Sequence, residues 1–407
     1  MKIAVVFQHY YPEQFRLTPI CEELVRRGHE VTVYTGLPNY PHGKVPQRYR
    51  WFRNRREEHN GVRIVRSFEI GRKPGKLGLA LNYVSYTLSS MWRAFFVPKD
   101  FDVVFAYSTS PILMTLQGII LRKRAKKKMH MYLMDIWPAC LSAMHVKESS
   151  LLYRLMGRVS RYVYRRCDSI SYTSRSFRQY MWEVHGISLR EQDYLPQFAE
   201  TLFEQDAALP EGEGFHFVFA GNIGHMQSVD TILQAAHILK DEPIRWTILG
   251  DGSAFAACKA LAERLELRNV EFLGRKPTED MPEYYRMADA MLVTMRDDSL
   301  VNLTLPGKVQ SYMAFAKPIL GAINGETKRI VEEAQAGIIC AAEDVQALAD
   351  SVRRFMRMDA DARLAMGQNA RQYYDRNFQF ADHINRLEQN LLDLCKGEGS
   401  YEETDFC

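Results

Sequence analysis

The chain has 407 residues, of which 46% are hydrophobic and 25% are charged, with a formal net charge of +4. This composition excludes a disordered chain, and the length is sufficient for two domains, each with its own core. The small net charge excludes a global basic field, so any basic function must lie in local patches. Seven cysteines at wide spacings, without a Cys-x-x-Cys pair, argue against a disulfide framework or a structural zinc site and favour a reducing cytoplasm.

Apolar runs that suit buried parallel strands alternate with helical patterns along the whole chain. The first run begins at Lys2, so we expect no signal peptide before it. The predicted strands lie at residues 2–7, 30–34, 62–67, 102–107, 129–134 and 168–173 in the first half, and at 215–220, 244–249, 270–273, 289–293, 317–321 and 337–340 in the second. This is the pattern of an α/β protein with two doubly wound, Rossmann-like domains.

The best candidate for a membrane span is residues 77–92, an uncharged stretch between Lys76 and Arg93. Its 16 residues include Asn82 and three serines, so the stretch is shorter and more polar than a span requires. We predict a buried or interfacial helix there instead.

Composition also marks the domain boundary. Between residues 199 and 214 every charged residue is acidic, and Pro210 and two glycines interrupt the apolar pattern. We therefore predict an N-terminal domain over residues 1–198, a linker over 199–214 and a C-terminal domain over 215–371. A C-terminal helix over 372–395 should cross back to the first domain, followed by a polar, frayed tail over 396–407.

Three glycine-containing turns follow successive predicted strands of the second half: Gly221-Asn222-Ile223-Gly224, Gly250-Asp251-Gly252 and Gly274-Arg275. Ligands bind at the carboxyl ends of strands in open α/β sheets, and glycine lets the backbone approach a ligand closely. Amides at a helix N-terminus attract an anion. The turns together favour a diphosphate site, although an ordinary strand–turn–helix explains each of them alone.

Lys308 follows Pro306 and Gly307, directly before a helical pattern over residues 309–315. The helix dipole makes a lysine unfavourable in the first turn, and a bound diphosphate would remove that conflict. Lys308 and Arg275, with the amides of residues 221–224, are therefore the candidates for neutralising the phosphates. A solvated surface lysine is the alternative.

In the first half, polar and aromatic residues follow two predicted strands. His9, Tyr10, Tyr11 and Glu13 follow the first strand, and Asp135 and Trp137 follow the strand at 129–134. A carboxylate and an indole at a strand end could hold sugar hydroxyls by hydrogen bonding and stacking. An N-cap role for Asp135 and a satisfied, partly buried histidine at position 9 are the alternatives.

The order of these segments resembles glycosyltransferase family 4, whose GT-B architecture has two Rossmann-like domains facing a cleft. It also resembles the narrower WbuB-like branch, which builds O-antigen and capsular polysaccharide. The segments that carry the resemblance are Tyr10-Tyr11-Pro12-Glu13 with Arg16, Gly28-His29-Glu30-Val31, Pro38-Asn39-Tyr40-Pro41, Asp135-Ile136-Trp137-Pro138, Leu195-Pro196-Gln197, Gly221-Asn222-Ile223-Gly224 and Leu305-Pro306-Gly307-Lys308.

The resemblance implies sugar transfer from a UDP-linked donor, with retention at the anomeric carbon and with neither a metal nor another cofactor. We assign catalytic roles to His9, Asp135 and Lys308. The predicted donor-binding residues are Gly221, Asn222, Ile223, Gln227, Gly250, Gly252, Arg275, Pro306 and Lys308, and the predicted acceptor-binding residues are Tyr10, Tyr11, Glu13, Arg16, Asn39, Tyr40 and Trp137.

Two departures from the family pattern concern the donor side. Leu303 and Ser311 stand where the broader family has a pair of glutamates, and the WbuB-like branch resembles this chain in lacking that pair. Gln227 and Ser228 stand where the broader family often has Lys-Gly. The resemblance therefore leaves open how the donor phosphates are neutralised.

Two basic segments predict docking on an anionic membrane surface, although a solvated face is the alternative. Arg154, Arg158, Arg161 and Arg165 recur on one helix face, and residues 122–128 form a dense basic run. Residues 48–56 interleave basic and aromatic side chains, but no DNA- or RNA-binding module surrounds them, so we expect no nucleic-acid partner.

The leading hypothesis is a glycosyltransferase at the cytoplasmic face of the plasma membrane. It would move an N-acetylated or deoxy hexosamine from a UDP-sugar to a polyprenyl-diphosphate-linked saccharide. One alternative is a nucleotide-sugar epimerase on the same scaffold. The other is a non-catalytic assembly subunit, which the missing glutamate pair favours.

Overall fold

A computed structural model of the chain describes residues 1–40, 43–51, 53–144, 146–206, 208–210 and 212–401. The chain divides into two compact units. The first unit comprises residues 1–173 and 177–195 and the chain from 384 onward, and the second comprises 174–176 and 196–383. Each unit contains one sheet of largely parallel strands with helical connections, which confirms the predicted class of two Rossmann-like α/β domains.

The sheet of the first unit has the strand order β3-β4-β2-β1-β5-β6-β7. Its strands are β1 (Lys2–Val6), β2 (Glu30–Thr35), β3 (Arg56–His59), β4 (Val62–Arg66), β5 (Val103–Ser108), β6 (Lys128–Leu133) and β7 (Ser169–Tyr172). All of these strands pair in parallel except β3, which lies antiparallel to β4 at the edge. The sequence prediction missed β3 because its four residues, Arg-Glu-Glu-His, include no apolar side chain.

The strands at the centre of this sheet are apolar because helices cover both faces. All six residues of β5 are buried, and Ile3 of β1 pairs with Val31 on one side and Val103 on the other. The helices within residues 1–195 are α1 (Leu17–Arg26), α2 (Gly75–Ala94), α3 (Leu116–Ala125), α4 (Leu151–Tyr164) and α5 (Phe177–Tyr180).

The sheet of the second unit is parallel throughout, with the order β10-β9-β8-β11-β12-β13. Its strands are β8 (Phe215–Ala220), β9 (Ile244–Leu249), β10 (Val270–Gly274), β11 (Ala290–Thr294), β12 (Ile319–Ala322) and β13 (Gly337–Cys340). Its helices are α6 (Val229–Ile238), α7 (Phe255–Arg264), α8 (Met281–Met287), α9 (Ser299–Leu303), α10 (Gly307–Ala314), α11 (Gly325–Glu333), α12 (Val345–Met356) and α13 (Ala360–Asn377).

The last helix, α14 (Phe380–Lys396), returns the chain to the first unit. Glu388 pairs with Arg27 and His29 at 2.6 Å each, and the hydroxyl of Tyr401 donates to the carbonyl of Ile170 at 3.1 Å. The predicted return of a C-terminal helix is therefore confirmed. The helix is not continuous over 372–395, however, since a break at residues 378–379 separates α13 from α14.

The predicted frayed tail also differs from the structure. Hydrogen bonds hold the chain as far as residue 401, and residues 402–407 lie outside the described residues. The first residues of the predicted linker, 199–214, are part of the second unit, because Ala199 and Phe203 are buried in its core. Glu211 of that segment lies outside the described part of the chain.

The strand order reverses direction next to the first strand of each unit. In the first unit the reversal lies between β1 and β5, and in the second it lies between β8 and β11. Ligands of doubly wound sheets bind outside the carboxyl ends of the strands at such a switch point. Functional groups are therefore expected in the segments that follow these four strands and their neighbours.

Candidate functional site

The glycine turns of the second unit are packed directly against one another. The amide of Gly221 donates to the carbonyl of Leu249 at 3.0 Å, and the amide of Gly250 donates to the carbonyl of Gly274 at 2.9 Å. A side chain on Gly250 would place its Cβ 1.7 Å from the carbonyl oxygen of Gly221. Glycine is therefore required at position 250 for the turns after β8 and β9 to meet.

We expect Gly250→Ala to destabilise the second unit by about 2 kcal/mol or more and to abolish donor binding. The change combines a steric clash with a backbone φ of +129°. Gly212→Ala is a matched control, because Gly212 has a φ of +130° but nothing within 4 Å of its added Cβ. Thermal unfolding compares the two, and equal losses of stability would mean that backbone strain alone accounts for the effect.

The turn after β8 corrects one prediction about phosphate binding. The amide of Ile223 donates to the carbonyl of Asp251 at 2.9 Å, and that of Gly224 donates to the side-chain oxygen of Gln227 at 3.1 Å. Together with the Gly221 bond, these contacts occupy three of the four amides predicted to cradle a diphosphate. Gln227 is thus used inside the turn, where its oxygen also accepts from Asn222 at 2.9 Å.

Lys308 lies directly beneath this turn. Its ammonium nitrogen Nζ is 3.7 Å from the centroid of the Phe219 ring, and a Cβ on Gly221 would lie 2.8 Å from it. The residue as a whole is partly exposed, but Nζ itself is buried and has no hydrogen-bond partner in the described structure. Burial lowers the pKa of Lys308 to about 7. A buried cation without an anion is costly, so this position suits a negatively charged ligand.

Helix α10 holds Lys308 in place. Pro306 is its N-cap residue and Lys308 lies in its first turn. Further along the helix, the hydroxyl of Tyr312 donates to the carbonyl of Ala220 at 2.9 Å and accepts from the amide of the same residue at 3.1 Å. This double contact ties α10 to the end of β8 and fixes the lysine relative to the glycine turn.

Arg275, the other predicted phosphate-binding cation, has no recorded contact with Lys308 among the described residues. It is exposed, directly after β10, and it forms no hydrogen bond or ion pair with any residue that the structure describes. The backbone of its neighbour Gly274 does contact Gly250. Arg275 therefore stands at the rim of the turns, and its role in donor binding stays a prediction.

In the first unit, the loop after β1 carries a histidine supported by a carboxylate. Nδ1 of His9 lies 3.0 Å from the carboxylate of Glu13, and both residues are largely buried. The imidazole stacks on Phe15, with ring centroids 5.3 Å apart. The other ring nitrogen, Nε2, has no partner among the described residues and reaches the surface. A carboxylate that fixes one ring nitrogen leaves the other to exchange a proton with a ligand.

The same carboxylate organises the loop after β2. Glu13 accepts hydrogen bonds from the amides of Asn39 and Tyr40, both at 2.6 Å. Asn39 is buried and its side-chain oxygen accepts from the amide of Arg72 at 3.0 Å, whereas Tyr40 is 44% exposed. Of this pair, Tyr40 is therefore the residue that a ligand could reach. Pro41, which belongs to the same predicted motif, lies outside the described residues.

Asp135 bridges two strand ends and does not act as an N-cap. Its carboxylate accepts from both the amide and the hydroxyl of Ser110 at 2.9 Å, and the Trp137 indole donates to the same hydroxyl at 3.2 Å. Burial raises the pKa of Asp135, although the hydrogen bonds from Ser110 oppose the shift. Burial raises the pKa of the Tyr83 phenol in α2.

The structure corrects the prediction that Tyr10 binds the acceptor. Tyr10 is only 1% exposed, and its phenol lies against Cys21 of α1, where burial holds its pKa well above the ordinary value. Tyr11 is partly exposed and stacks on His59, with ring centroids 3.6 Å apart. Arg16 is partly exposed at the start of α1. Trp137 is 5% exposed, so it serves mainly to hold Ser110.

A further carboxylate in this region, that of Glu69, was missed by the sequence prediction. Glu69, three residues after β4, is 2% exposed; it accepts from Gln8 at 3.2 Å and also from the side chain of Asn39. Burial, followed by the nearby Glu13, raises the pKa of Glu69 well above its ordinary value. Its place after a strand end was the available signal, and the same rule would have identified it.

Comparison with known proteins agrees with this division of the chain. The family described as "Glycosyl transferase 4-like domain" matches residues 14–197, and the family described as "Glycosyl transferases group 1" matches residues 202–373. WcaI of Escherichia coli (strain K12), named as a colanic acid biosynthesis glycosyl transferase, is 24% identical over 97% of this chain and 100% of its own length. WbjE of Pseudomonas aeruginosa, named as a glycosyltransferase, is 27% identical over 67% of this chain and 72% of its own.

A solved structure extends the likeness to the fold. HepE of Anabaena, crystallised in complex with UDP and glucose, superimposes with a TM-score of 0.67 at 15% identity, over 96% of this chain and 99% of HepE. With matches through both Rossmann-like units, the protein is a glycosyltransferase of the GT-B architecture. Within that class it belongs to glycosyltransferase family 4.

Proposed function

We propose that this protein transfers a sugar from a UDP-linked donor to a lipid-linked saccharide during the synthesis of a bacterial surface polysaccharide. The observation that carries the donor half is the buried ammonium of Lys308 beneath the Gly221 turn, which has no hydrogen-bond partner among the described residues. The name of WcaI supports a polysaccharide pathway, and the UDP in the HepE complex supports UDP as the nucleotide. The lipid-linked acceptor, the inner face of the plasma membrane and an N-acetylated or deoxy hexosamine are the finer parts of the proposal.

The donor side would stabilise the departing diphosphate. As the bond from the anomeric carbon to the phosphate oxygen breaks, positive charge develops on the sugar and negative charge on the diphosphate. Lys308 offers a preorganised positive charge, and the first turn of α10 adds the positive end of a helix dipole. Lys308 is fixed by α10 before the donor arrives, so little reorganisation is needed. We propose that no metal takes part, and activity that is unchanged by a chelator is the corresponding test.

On the acceptor side, we propose that His9 accepts a hydrogen bond from the hydroxyl that attacks the anomeric carbon. Glu13 would keep the imidazole oriented, with the ring proton on Nδ1 so that Nε2 can accept. Asp135, held by Ser110, would bind a further hydroxyl of the acceptor sugar. These assignments use the groups that the structure leaves available, and exclude Tyr10.

Retention at the anomeric carbon is part of the proposal and rests on the family resemblance. In a retaining transfer the departing diphosphate takes the proton of the acceptor hydroxyl. The hydrogen bond to His9 would then position the hydroxyl before the transfer and give way to a hydrogen bond to the leaving phosphate. A carboxylate-backed histidine could also serve a direct, inverting displacement. Nuclear magnetic resonance of the first product decides between these outcomes, and an inverted anomeric configuration would overturn retention.

The direct test of the function is a panel of nucleotide sugars. We expect one UDP-sugar to raise the melting temperature of the protein. When membrane acceptor is added, the same UDP-sugar should be consumed, with release of UDP and formation of a glycolipid. Conversion of the donor without acceptor would instead indicate an epimerase. Failure to bind any nucleotide would indicate a non-catalytic subunit.

Donor binding above neutral pH should take up a proton at Lys308. With its pKa lowered to about 7, much of the amine is neutral at mildly alkaline pH, and a bound diphosphate favours the ammonium form. Titration calorimetry in two buffers of different ionisation enthalpy measures the uptake, which Lys308→Met should abolish. Uptake that persists in the variant would assign the proton to another group.

The same shift has a consequence for the stability of the ligand-free chain. The lysine of the unfolded chain keeps its proton up to about pH 10, so between about pH 7 and 10 the unfolded state binds more protons than the folded state. The contribution of Lys308 to stability therefore increases as the pH rises through this range, and donor binding opposes that trend.

A further inference from the structure

The outward face of α2 is entirely apolar. Between Lys76 and Arg93, every exposed residue carries an apolar side chain. These residues are Leu77, Ala80, Leu81, Val84, Leu88 and Trp92. Their exposed fractions reach 75% at Leu77 and 69% at Trp92. Successive members are separated by one to four positions, so they form one stripe about 22 Å long on one side of the helix.

The polar residues of α2 face the opposite way. Asn82 is fully buried; its side chain donates to the carbonyl of Ile70 at 2.7 Å and accepts from Gln8 at 3.0 Å. Ser89 donates to the carbonyl of Phe68. These contacts fix the rotation of the helix within the first unit. A surface helix of a globular protein normally has the reverse arrangement, with its polar side outward.

Cations lie at both ends of the apolar stripe. Residues 70–99 contain five lysines and arginines and no carboxylate. Lys73 and Lys76 are exposed at the amino end. At the carboxyl end Arg93 is partly exposed, and Lys99, a few residues beyond the helix, is exposed. The charge of this surface is therefore complementary to an anionic one.

A second exposed apolar patch lies on a neighbouring helix. Leu151, Leu152 and Leu155 of α4 are 81%, 50% and 52% exposed, and both α2 and α4 pack against the short turn at Ile112–Thr115. Arg154 and Arg158 of α4 are exposed beside these leucines, and both belong to the predicted arginine face of this helix. α4 thus adds apolar side chains and cations to the region around α2.

The basic run at residues 122–128 contributes less than its charge suggests. Arg122 and Lys128 pair with Asp168, at 2.7 and 3.3 Å, and Arg124 donates to the carbonyl of Val97 at 3.0 Å. These cations hold the first unit together. Three of the six cations of this run are therefore used inside the unit, whereas Lys123 and Lys126 are exposed, and docking of the run on an anionic surface stays a prediction.

We propose that α2 lies in the plane of an anionic lipid membrane, with its apolar stripe among the acyl chains and the cations at its two ends on phosphate headgroups. A long apolar stripe, a tryptophan near one end and flanking lysines and arginines are what an interfacial helix requires. No described helix is long and apolar enough to cross the bilayer. The inference goes beyond the proposed reaction, but its value for catalysis rests on the lipid-linked acceptor proposed above.

Vesicle sedimentation tests the proposal without donor or acceptor. We expect the full chain to bind vesicles of phosphatidylcholine with phosphatidylglycerol, and the double variant Val84→Asp/Leu88→Asp to bind them about 10-fold or more weakly. Both positions are exposed, so the variant should keep its melting temperature. The matched control is Ile238→Asp/Met287→Asp, which changes exposed apolar residues of the second unit and should bind as the original chain does.

Three results would overturn the proposal. The first is equal vesicle binding by the original chain and its α2 variant. The second is equal binding of the original chain to vesicles with and without phosphatidylglycerol. The third is a dimer of the original chain that the α2 substitutions dissociate, which would assign the stripe to a second copy. Transfer to a water-soluble acceptor separates the two proposals. If transfer persists without docking, only the membrane inference fails, and if docking persists without transfer from any donor, only the proposed function fails.

Discussion

Lys308→Met is expected to weaken UDP binding by about 100-fold or more without lowering the melting temperature of the ligand-free protein. The substitution removes the charge that would face the diphosphate. It also removes a buried ammonium nitrogen that has no hydrogen-bond partner in the described structure, and methionine fills a similar volume at lower cost. Binding is measured by calorimetry and stability by thermal unfolding. Loss of affinity without loss of stability is the signature of a ligand-binding lysine.

Lys317 is the matched control because it is a second buried lysine of the same unit. Its ammonium donates to the carbonyls of Ala208, Arg286 and Ala288 at 3.1, 3.3 and 2.8 Å. Lys317→Met leaves these three oxygens without that donor, so it should lower the melting temperature and leave UDP affinity unchanged. If Lys308→Met bound UDP as tightly as the original protein, Lys308 would not belong to the donor site.

His9→Ala is expected to reduce kcat about 100-fold, with a smaller effect on donor affinity. The free Nε2 of His9 is the group we assign to the acceptor hydroxyl, and alanine cannot replace it. His9 also packs against aromatic side chains, so the variant should lose some stability. Turnover is therefore compared under conditions in which circular dichroism shows the variant to be folded.

Glu13→Gln separates a chemical role of His9 from a packing role. The amide nitrogen of glutamine would donate to Nδ1 and leave the ring proton on Nε2, which then cannot accept a hydrogen bond from the acceptor. The substitution preserves the size of the side chain, and its oxygen can still accept from the amides of Asn39 and Tyr40. We expect a large loss of kcat with little loss of stability. Unchanged kcat in both variants would show that His9 and Glu13 only shape the loop.

The sequence predicts the parallel strands well because most of them lie in largely apolar segments. The edge strand β3 escapes prediction for the opposite reason, since Arg56–His59 has only polar side chains and is a strand only because β4 lies beside it. Phe52, in the basic and aromatic segment that precedes β3, lies outside the described residues.

Side-chain direction was the harder problem at the predicted sites. Tyr10 and Tyr11 are adjacent tyrosines after the same strand, but one enters the core against α1 and the other stacks on an imidazole at the surface. Nothing in the local pattern distinguishes them, because the difference depends on how α1 packs. Lys308 shows the same limit, since its position at a helix start was visible and its burial beneath Gly221 was not.

The uncharged segment 77–92 shows what periodicity leaves undecided. Its length and its mixture of leucines with serines and Asn82 predict a buried or interfacial helix, and the sequence does not decide between the two. The structure orients the serines and Asn82 inward through contacts with residues far away in the chain. The direction of the apolar side is therefore set by tertiary hydrogen bonds.

The return of α14 to the first unit has a consequence for biosynthesis. Arg27 and His29 receive their shared partner Glu388 only after both sheets have left the ribosome, and β7 receives Tyr401 later still. During translation the first unit therefore stays incompletely folded until α14 has been made, whereas the second unit can already fold. A chain terminated early, before residue 384, would carry its folding defect in the half that was made first.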